Sequence, residues 1–308
     1  MSGRIAVLGG AGFLGSHLVD RLVADGRNVL VVDDLSTGRL ENLATARRRG
    51  GVGFHSLSVD QSGFGAALVR FAPSVVYLLA DPDAADGGAG DPVGTVTRHV
   101  ARVAAIAEAS RSCDARLVVA ARGLDLDGAV AGQPLRERQR PHPLHPRGAA
   151  LYSALRYVEA RLGRQWCALV TGTVYGGRQR EEDAVLPAAV GDMLHRRTPT
   201  VAGDPDASHD WLYVDDAVDA LARAGDTGTG LVNVGTGIAT PLAEVVGLAA
   251  DACSYLGKVA YTSPAAPEPA EFRLDPTHAG SILGWQPYTT VRDGVPAAVT
   301  AIVEARIR

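Results

Sequence analysis

The sequence predicts an α/β fold, a doubly wound parallel sheet with a smaller C-terminal α/β domain. Three observations predict it. Short runs that are apolar after at most one leading polar residue recur over the first two thirds of the chain: RIAVL (4–8), NVLVV (28–32), SVVYLLA (74–80), RLVVAA (116–121) and CALV (167–170). Segments with helical apolar spacing, such as VARVAAIAEAS (100–110) and LYSALRYVEARL (151–162), fall between them. Strands without polar alternation are those buried on both faces, and their alternation with helices makes neighbouring strands parallel. The third observation is length: 308 residues are enough for one large α/β unit or two modest ones.

In order, RIAVLGG is a strand entering a glycine-rich turn, and FLGSHLVDRLVADG (13–26) is a helix stopped by Gly26 at the C-cap. NVLVVDD, SVVYLLA, RLVVAA and CALVTG supply the next strands. The segment ADPDAADGGAGDP (80–92) reads as a mobile loop. After CALVTGTVYGG the chain becomes punctuated by Pro and Gly, with helical pieces around 184–195 and 240–256. HDWLYVDDAVDAL and GLVNVG are expected to return to the main sheet. The boundaries expected are therefore discontinuous: residues 1–176 plus about 208–238 form a nucleotide-binding unit, and about 177–207 and 239–308 a substrate-binding unit.

The composition is ordinary for a globular protein, with 46% hydrophobic and 21% charged residues. A net charge of −4 gives no reason to expect nucleic acid or an anionic membrane as partner. No apolar run is long enough to span a bilayer, and MSGRIAVLGG leads straight into a strand, so a cytoplasmic protein is expected. Cys113, Cys167 and Cys253 are widely spaced and each lies beside apolar residues, which fits reduced, packed thiols. His142 and His145 stand in a Pro-rich loop with no third ligand, so no metal site is expected. Lys258 is the only lysine among 30 basic residues, a bias that removes meaning from any single Arg standing where a Lys would serve.

GGAGFLG places Gly9, Gly10, Gly12 and Gly15 between a strand and a helix. Glycine is needed there because the chain turns tightly while its backbone approaches a pyrophosphate at the helix N-terminus. Asp33 follows 18 residues after Gly15, at the end of the next strand, which completes the dinucleotide-binding context of a Rossmann unit. Asp33 and Asp34 accept hydrogen bonds from a free ribose and repel a 2′-phosphate, so NAD is favoured over NADP. Asp60, after FHSLSV, is placed to meet the adenine edge; a plain surface turn is the alternative.

With these residues in view, the chain resembles the extended short-chain dehydrogenase/reductase family, the nucleotide-sugar epimerases and dehydratases, most closely the UDP-glucose 4-epimerase branch. GGAGFLGSHLVDRLVADGRNVLVVDDLSTGRLENL looks like that branch's N-terminal signature. TGTVYGGRQ resembles its N-V-Y-G-P-R segment and HDWLYVDDAVDAL its R-D-F-x-Y-V-D-D segment, and LVNVGTG and LGWQP also fall in order. The resemblance implies NAD bound by Gly9, Gly12, Phe13, Leu14, Gly15, Asp33, Asp34, Asp60, Leu79 and Ala80. It also implies a homodimer formed through the helices holding 99–110 and 152–165.

The family moves a proton through a Tyr phenolate while hydride moves at NAD, with a Lys four residues on and a Ser or Thr hydroxyl supporting the Tyr. A phenol titrates near 10 in water, so an adjacent cation is needed to bring it towards neutrality. Tyr152 and Arg156 fit that spacing and share one helix face. They are the expected acid/base and cation, both touching NAD. The competing reading has Arg156 pairing with Glu159 on a solvated face. From Cys113 to Tyr152 there is no Ser or Thr, and Ala120, Ala121, Arg122 and Gly123 stand where the hydroxyl belongs; Asp125 or Asp127 is a candidate substitute.

Arg122, Thr173, Arg178, His209 and Arg273 are the expected substrate ligands. Thr173 and His209 replace the family's Asn and Arg, His99 replaces a structural Asn, and Glu268 lies where an Arg is common. The reading that results is an NAD-dependent epimerase or 4-ketoreductase acting on a UDP- or dTDP-sugar. Two alternatives stay open: a tailoring oxidoreductase on a non-nucleotide alcohol or ketone, and a catalytically silent NAD-binding member.

Overall fold

The computed structural model describes residues 3–80, 91–127, 132–263 and 269–307. The loop read at 80–92, apart from its ends, and Glu268 lie outside these residues. The chain begins β1 (Arg4–Leu8), α1 (Phe13–Ala24), β2 (Asn28–Asp33), α2 (Ala44–Arg49), β3 (Val52–Ser56) and α3 (Phe64–Phe71). It continues β4 (Val75–Leu78), α4 (Pro92–Ser112), β5 (Arg116–Arg122), the short α5 (Gly123–Asp127), α6 (Pro146–Leu162) and β6 (Trp166–Thr171). Then come β7 (Thr173–Tyr175), α7 (Val185–Leu194), β8 (Thr200–Ala202), β9 (Ser208–Tyr213), α8 (Val214–Thr227) and β10 (Gly230–Val234). The last elements are β11 (Ala239–Pro241), α9 (Leu242–Ala252), β12 (Ala260–Thr262), β13 (Glu271–Phe272), α10 (Thr277–Leu283) and α11 (Val291–Ile307).

Seven parallel strands form the main sheet in the order β10-β6-β5-β4-β1-β2-β3. The inner strands are buried on both faces, as their apolar runs require. Ile5, Val7, Val29 and Val31 join α1 and α8 in one core, while Ala6, Leu8, Leu30 and Val32 join α3, α4 and α6 in the other. Leu18 and Val19 of α1 are fully buried, each worth about 1.5–3 kcal/mol in area removed from water. Strand order reverses direction beside β1, which leaves a crevice at the C-terminal ends of β1, β2 and β4.

α4 starts where Asp91 accepts the Gly94 amide at 2.9 Å and Pro92 occupies the first turn. It packs along α6, and Glu108 ties the pair by accepting from Tyr157 Oη at 3.0 Å and Arg161 Nε at 2.5 Å. Arg161, the Tyr157 phenol and Arg111 hold the Glu108 carboxyl down at about 2, with Arg161 the main cause.

The second unit has its own core between β9 and helices α7, α9 and α11, containing Tyr175, Met193, Trp211, Val246 and Val299. One expectation is corrected here. Residues 208–213 do not return to the main sheet: β9 is the hub of a four-stranded sheet with β7, β11 and β13. Only α8 and β10 rejoin, α8 packing on α1 and β10 pairing with β6. Alternation in HDWLY is too short to tell which of two sheets a strand joins.

Candidate active site

The crevice at the reversal is a cleft of about 630 Å³, and the glycine loop forms its floor. Gly9 has φ +78°, and a Cβ on it would run into the backbone of Ala80 at the end of β4. At Gly15 a Cβ would overlap the Gly9 carbonyl oxygen, so the first turn of α1 seats directly on the loop. α1 has Gly12 at its N-cap, with no side-chain cap and no acidic residue in its first turn. Its leading amides and positive dipole end are thus left for an anion at the cleft.

Asp33 is 7% exposed and accepts from Ala11 N at 2.8 Å and Leu35 N at 2.9 Å, pinning the glycine loop to the end of β2. Burial pushes its carboxyl up and those two amides pull it back. Gly9, Gly12, Phe13, Leu14, Asp33, Asp34, Leu79 and Ala80 all line the cleft. Gly15 acts from behind through packing. Asp60 is not among the lining residues; Arg102 grips it through a pair of hydrogen bonds from Nε at 2.8 Å and Nη2 at 2.5 Å, while Leu57, Ser58 and Val59 form the wall beside it. An uncapped helix start, a glycine cradle and a carboxylate at the end of β2 fit a dinucleotide with an unphosphorylated ribose.

A second cavity of about 400 Å³ opens beside the cleft, walled by β7, β9 and α7. Thr173, Tyr175 and Gln179 are among its lining residues; their Oγ1, Oη and Oε1 atoms are buried, the Tyr175 Oη against Gly294 of α11. His209 also borders it, stacked on Trp211 with ring centroids 6.4 Å apart. The two cavities share Phe13, Leu14, Leu79, Arg122, Arg147 and Asp183 as common wall.

The structure does not bring the remaining expected residues to this wall. Arg178 turns away to pair with Asp20 of α1 at 2.6 Å, and Arg273 pairs with Glu271 at 2.8 Å; neither lines the cleft or the second cavity. Tyr152 packs half-buried against the core on the α4 side, and Arg156 pairs with Glu159 with 64% of its side chain exposed. Neither reaches the cleft or the second cavity. The reason is helical phase. Arg147, Leu151, Ala154 and Leu155 form the stripe that faces the cavities, whereas Tyr152 lies about 140° and Arg156 about 180° around the helix from Arg147.

Arg147 is the residue that sequence reasoning missed, and the signal was Pro146-Arg147-Gly148. Pro146 fixes the start of α6, and a Cβ at Gly148 would overlap the Asp125 carbonyl oxygen, so α6 enters in close contact with α5. Asp125, 3.5 Å from Arg147 Nε, orients that guanidinium. Asp127 lines neither the cleft nor the second cavity, and burial pushes its carboxyl up to about 6. Among the described residues no cluster of three metal-ligating side chains occurs, and no helix is long and apolar enough to cross a membrane.

Comparison with known proteins identifies the family. The profile of the NAD-dependent epimerase/dehydratase family matches residues 5–235. The UDP-glucose 4-epimerase of Mycolicibacterium smegmatis is 33% identical over 304 residues, covering 96% of this chain and 97% of that protein. The crystal structure of UDP-glucose 4-epimerase with UDP-glucose from Thermotoga maritima superposes with a TM-score of 0.90 at 28% identity, over 98% of this chain and 99% of that one. That of the Thermus thermophilus UDP-glucose 4-epimerase complex with NAD gives 0.86 at 28% identity, over the same shares. A parallel seven-stranded sheet, a glycine cradle fitted to a dinucleotide and a profile match over most of the chain agree: the protein belongs to the NAD-dependent epimerase/dehydratase family.

Proposed function

We propose that this chain is an NAD-dependent oxidoreductase of nucleotide-linked sugars, presenting a UDP- or dTDP-sugar to the nicotinamide end of the cofactor for 4-epimerisation or reduction of the 4-keto form. The common wall between the two cavities carries this reading. The glycine loop, Asp33 and Asp34 hold the adenosine and pyrophosphate, Leu79 and Ala80 close the cleft, and Thr173 and His209 border the sugar nucleotide. NAD supplies hydride transfer when bound. A cytoplasmic setting rests on the sequence reading, and pairing of two copies through α4 and α6 rests on the family resemblance, which light scattering of the purified chain checks.

Tyr152 has no part in this reading, because it sits on the wrong side of α6. Replacing Tyr152 by Phe is expected to leave NAD binding, and any turnover, within about twofold of the parent, far from the 10²–10⁴-fold loss that removing an acid/base residue brings. A second reading has its own observation. Among the described residues, the wall common to both cavities carries no hydroxyl or phenol. That favours a member that binds cofactor and sugar nucleotide without turning over. Mixing NAD-loaded protein with UDP- and dTDP-sugars and following absorbance near 340 nm and product formation separates the two: turnover supports the first, and binding without redox change the second. A protein that binds NAD and turns over only non-nucleotide alcohols overturns both.

A further inference from the structure

We infer that Arg122 and Arg147 form a clamp for a carboxylate carried by the sugar, so that the ligand of the second cavity is an acidic nucleotide sugar. This rests on the nucleotide-sugar reading above and narrows it. Arg122 is the last residue of β5, is exposed at the cavity wall, and has no ion-pair or hydrogen-bond partner among the described residues. Its backbone is held in place: Gly123 follows so closely under Phe272 that a Cβ would come within 2.6 Å of the ring. Arg147 projects from the first turn of α6, oriented by Asp125.

These two residues border the cofactor cleft, the sugar cavity and a third cavity of about 110 Å³, so all three spaces meet at them. The third is otherwise largely apolar, with Leu78, Val103, Val119, Leu151 and Leu155 in its walls. The carboxylate on the common wall, Asp183, is already gripped by Arg180 through hydrogen bonds of 2.5 and 2.6 Å, so it is not the counter-charge of Arg122. A guanidinium offers two N–H groups in a fixed fork that matches a planar carboxylate, and the start of a helix adds positive potential to Arg147. Asp125, which also lines the third cavity, is taken up by Arg147, so a neutral hexose offers Arg122 no counter-charge, whereas an acidic one supplies it.

The test compares UDP-glucose with UDP-glucuronic acid, which differ only in the oxidation state of C6, by calorimetric titration into NAD-loaded protein. The expected result is that the acid binds at least about tenfold tighter, the scale of one charge-assisted pair. In Arg122→Gln that ratio falls to about one, and in Arg122→Lys, which keeps the charge and loses the fork, it lies between. Thermal unfolding confirms that each variant is folded. Equal affinity of the parent for both sugars, or a ratio unchanged in Arg122→Gln, overturns the clamp and leaves the nucleotide-sugar reading intact. An unchanged ratio together with weakened NAD binding reassigns Arg122 to the cofactor phosphates. Binding of NAD and of neither sugar nucleotide removes that reading, and the clamp with it.

Discussion

Replacing Asp210 by Ala is expected to destabilise the protein by about 3–5 kcal/mol, read as a lowered denaturant midpoint with an unchanged slope. Asp210 is fully buried in β9 and accepts from Thr236 N and Thr236 Oγ1, both at 2.7 Å, and from Gly237 N and Leu274 N, both at 3.1 Å. One carboxylate thus gathers the loop leaving β10 of the main sheet and the segment leaving β13 of the small one. Burial pushes its carboxyl up while the Thr236, Leu274 and Gly237 donors pull it down. Alanine leaves those donors without an acceptor in a dry site, and each buried unmade bond costs about 1–3 kcal/mol. Asn restores one acceptor oxygen and turns an N–H₂ towards other donors, so it is expected to fall between. Because β9 also carries His209 and Trp211 of the second cavity, sugar-nucleotide affinity is expected to fall with stability.

The second large effect is at the cofactor. Gly15→Ala is expected to weaken NAD binding by about a hundredfold or more and to destabilise the fold by about 2 kcal/mol. Two terms compete. Alanine in a helix gains about 1 kcal/mol over glycine, but here its Cβ overlaps the backbone at the Gly9 carbonyl oxygen and Gly10 Cα, and backbone atoms do not move aside as a side-chain tip does. The loop has to shift away from α1, and the amides aimed into the cleft shift with it. Gly65, inside α3 with open space where a Cβ would go, is the matched control. There the same substitution is expected to stabilise by about 0.5–1 kcal/mol and to leave NAD affinity unchanged.

These two sites mark what the sequence could and could not show. The main sheet was legible because its inner strands are buried on both faces, so uninterrupted apolar runs identified them without reference to distant partners. The cofactor loop was legible because its glycines answer local constraints: a positive φ, a close approach, a helix start. The small sheet was not. β9 is six residues long, and its choice between two sheets is decided by β7, β11 and β13, each of three residues or fewer.

The placement of the expected proton-transfer pair away from both cavities has a different reason. A spacing of four establishes that Tyr152 and Arg156 share a helix face, and says nothing about which face meets the cleft. The apolar stripe of Leu151, Ala154, Leu155 and Val158 already defined the inward side of α6, and Arg147 lies on that stripe where Tyr152 and Arg156 do not. Asp60 is a smaller case of the same kind: its position in the chain was read, but Arg102, which holds it, comes from α4, 42 residues on.

A crystal structure of the protein with NAD and UDP-glucuronic acid bound together tests most directly how the two cavities are used. The nicotinamide ring is expected against Leu79 and Ala120, with the sugar across the common wall and its carboxylate on Arg122 and Arg147. A nicotinamide lying beside Tyr152 and Arg156, or a sugar nucleotide bound away from β7 and β9, contradicts the account.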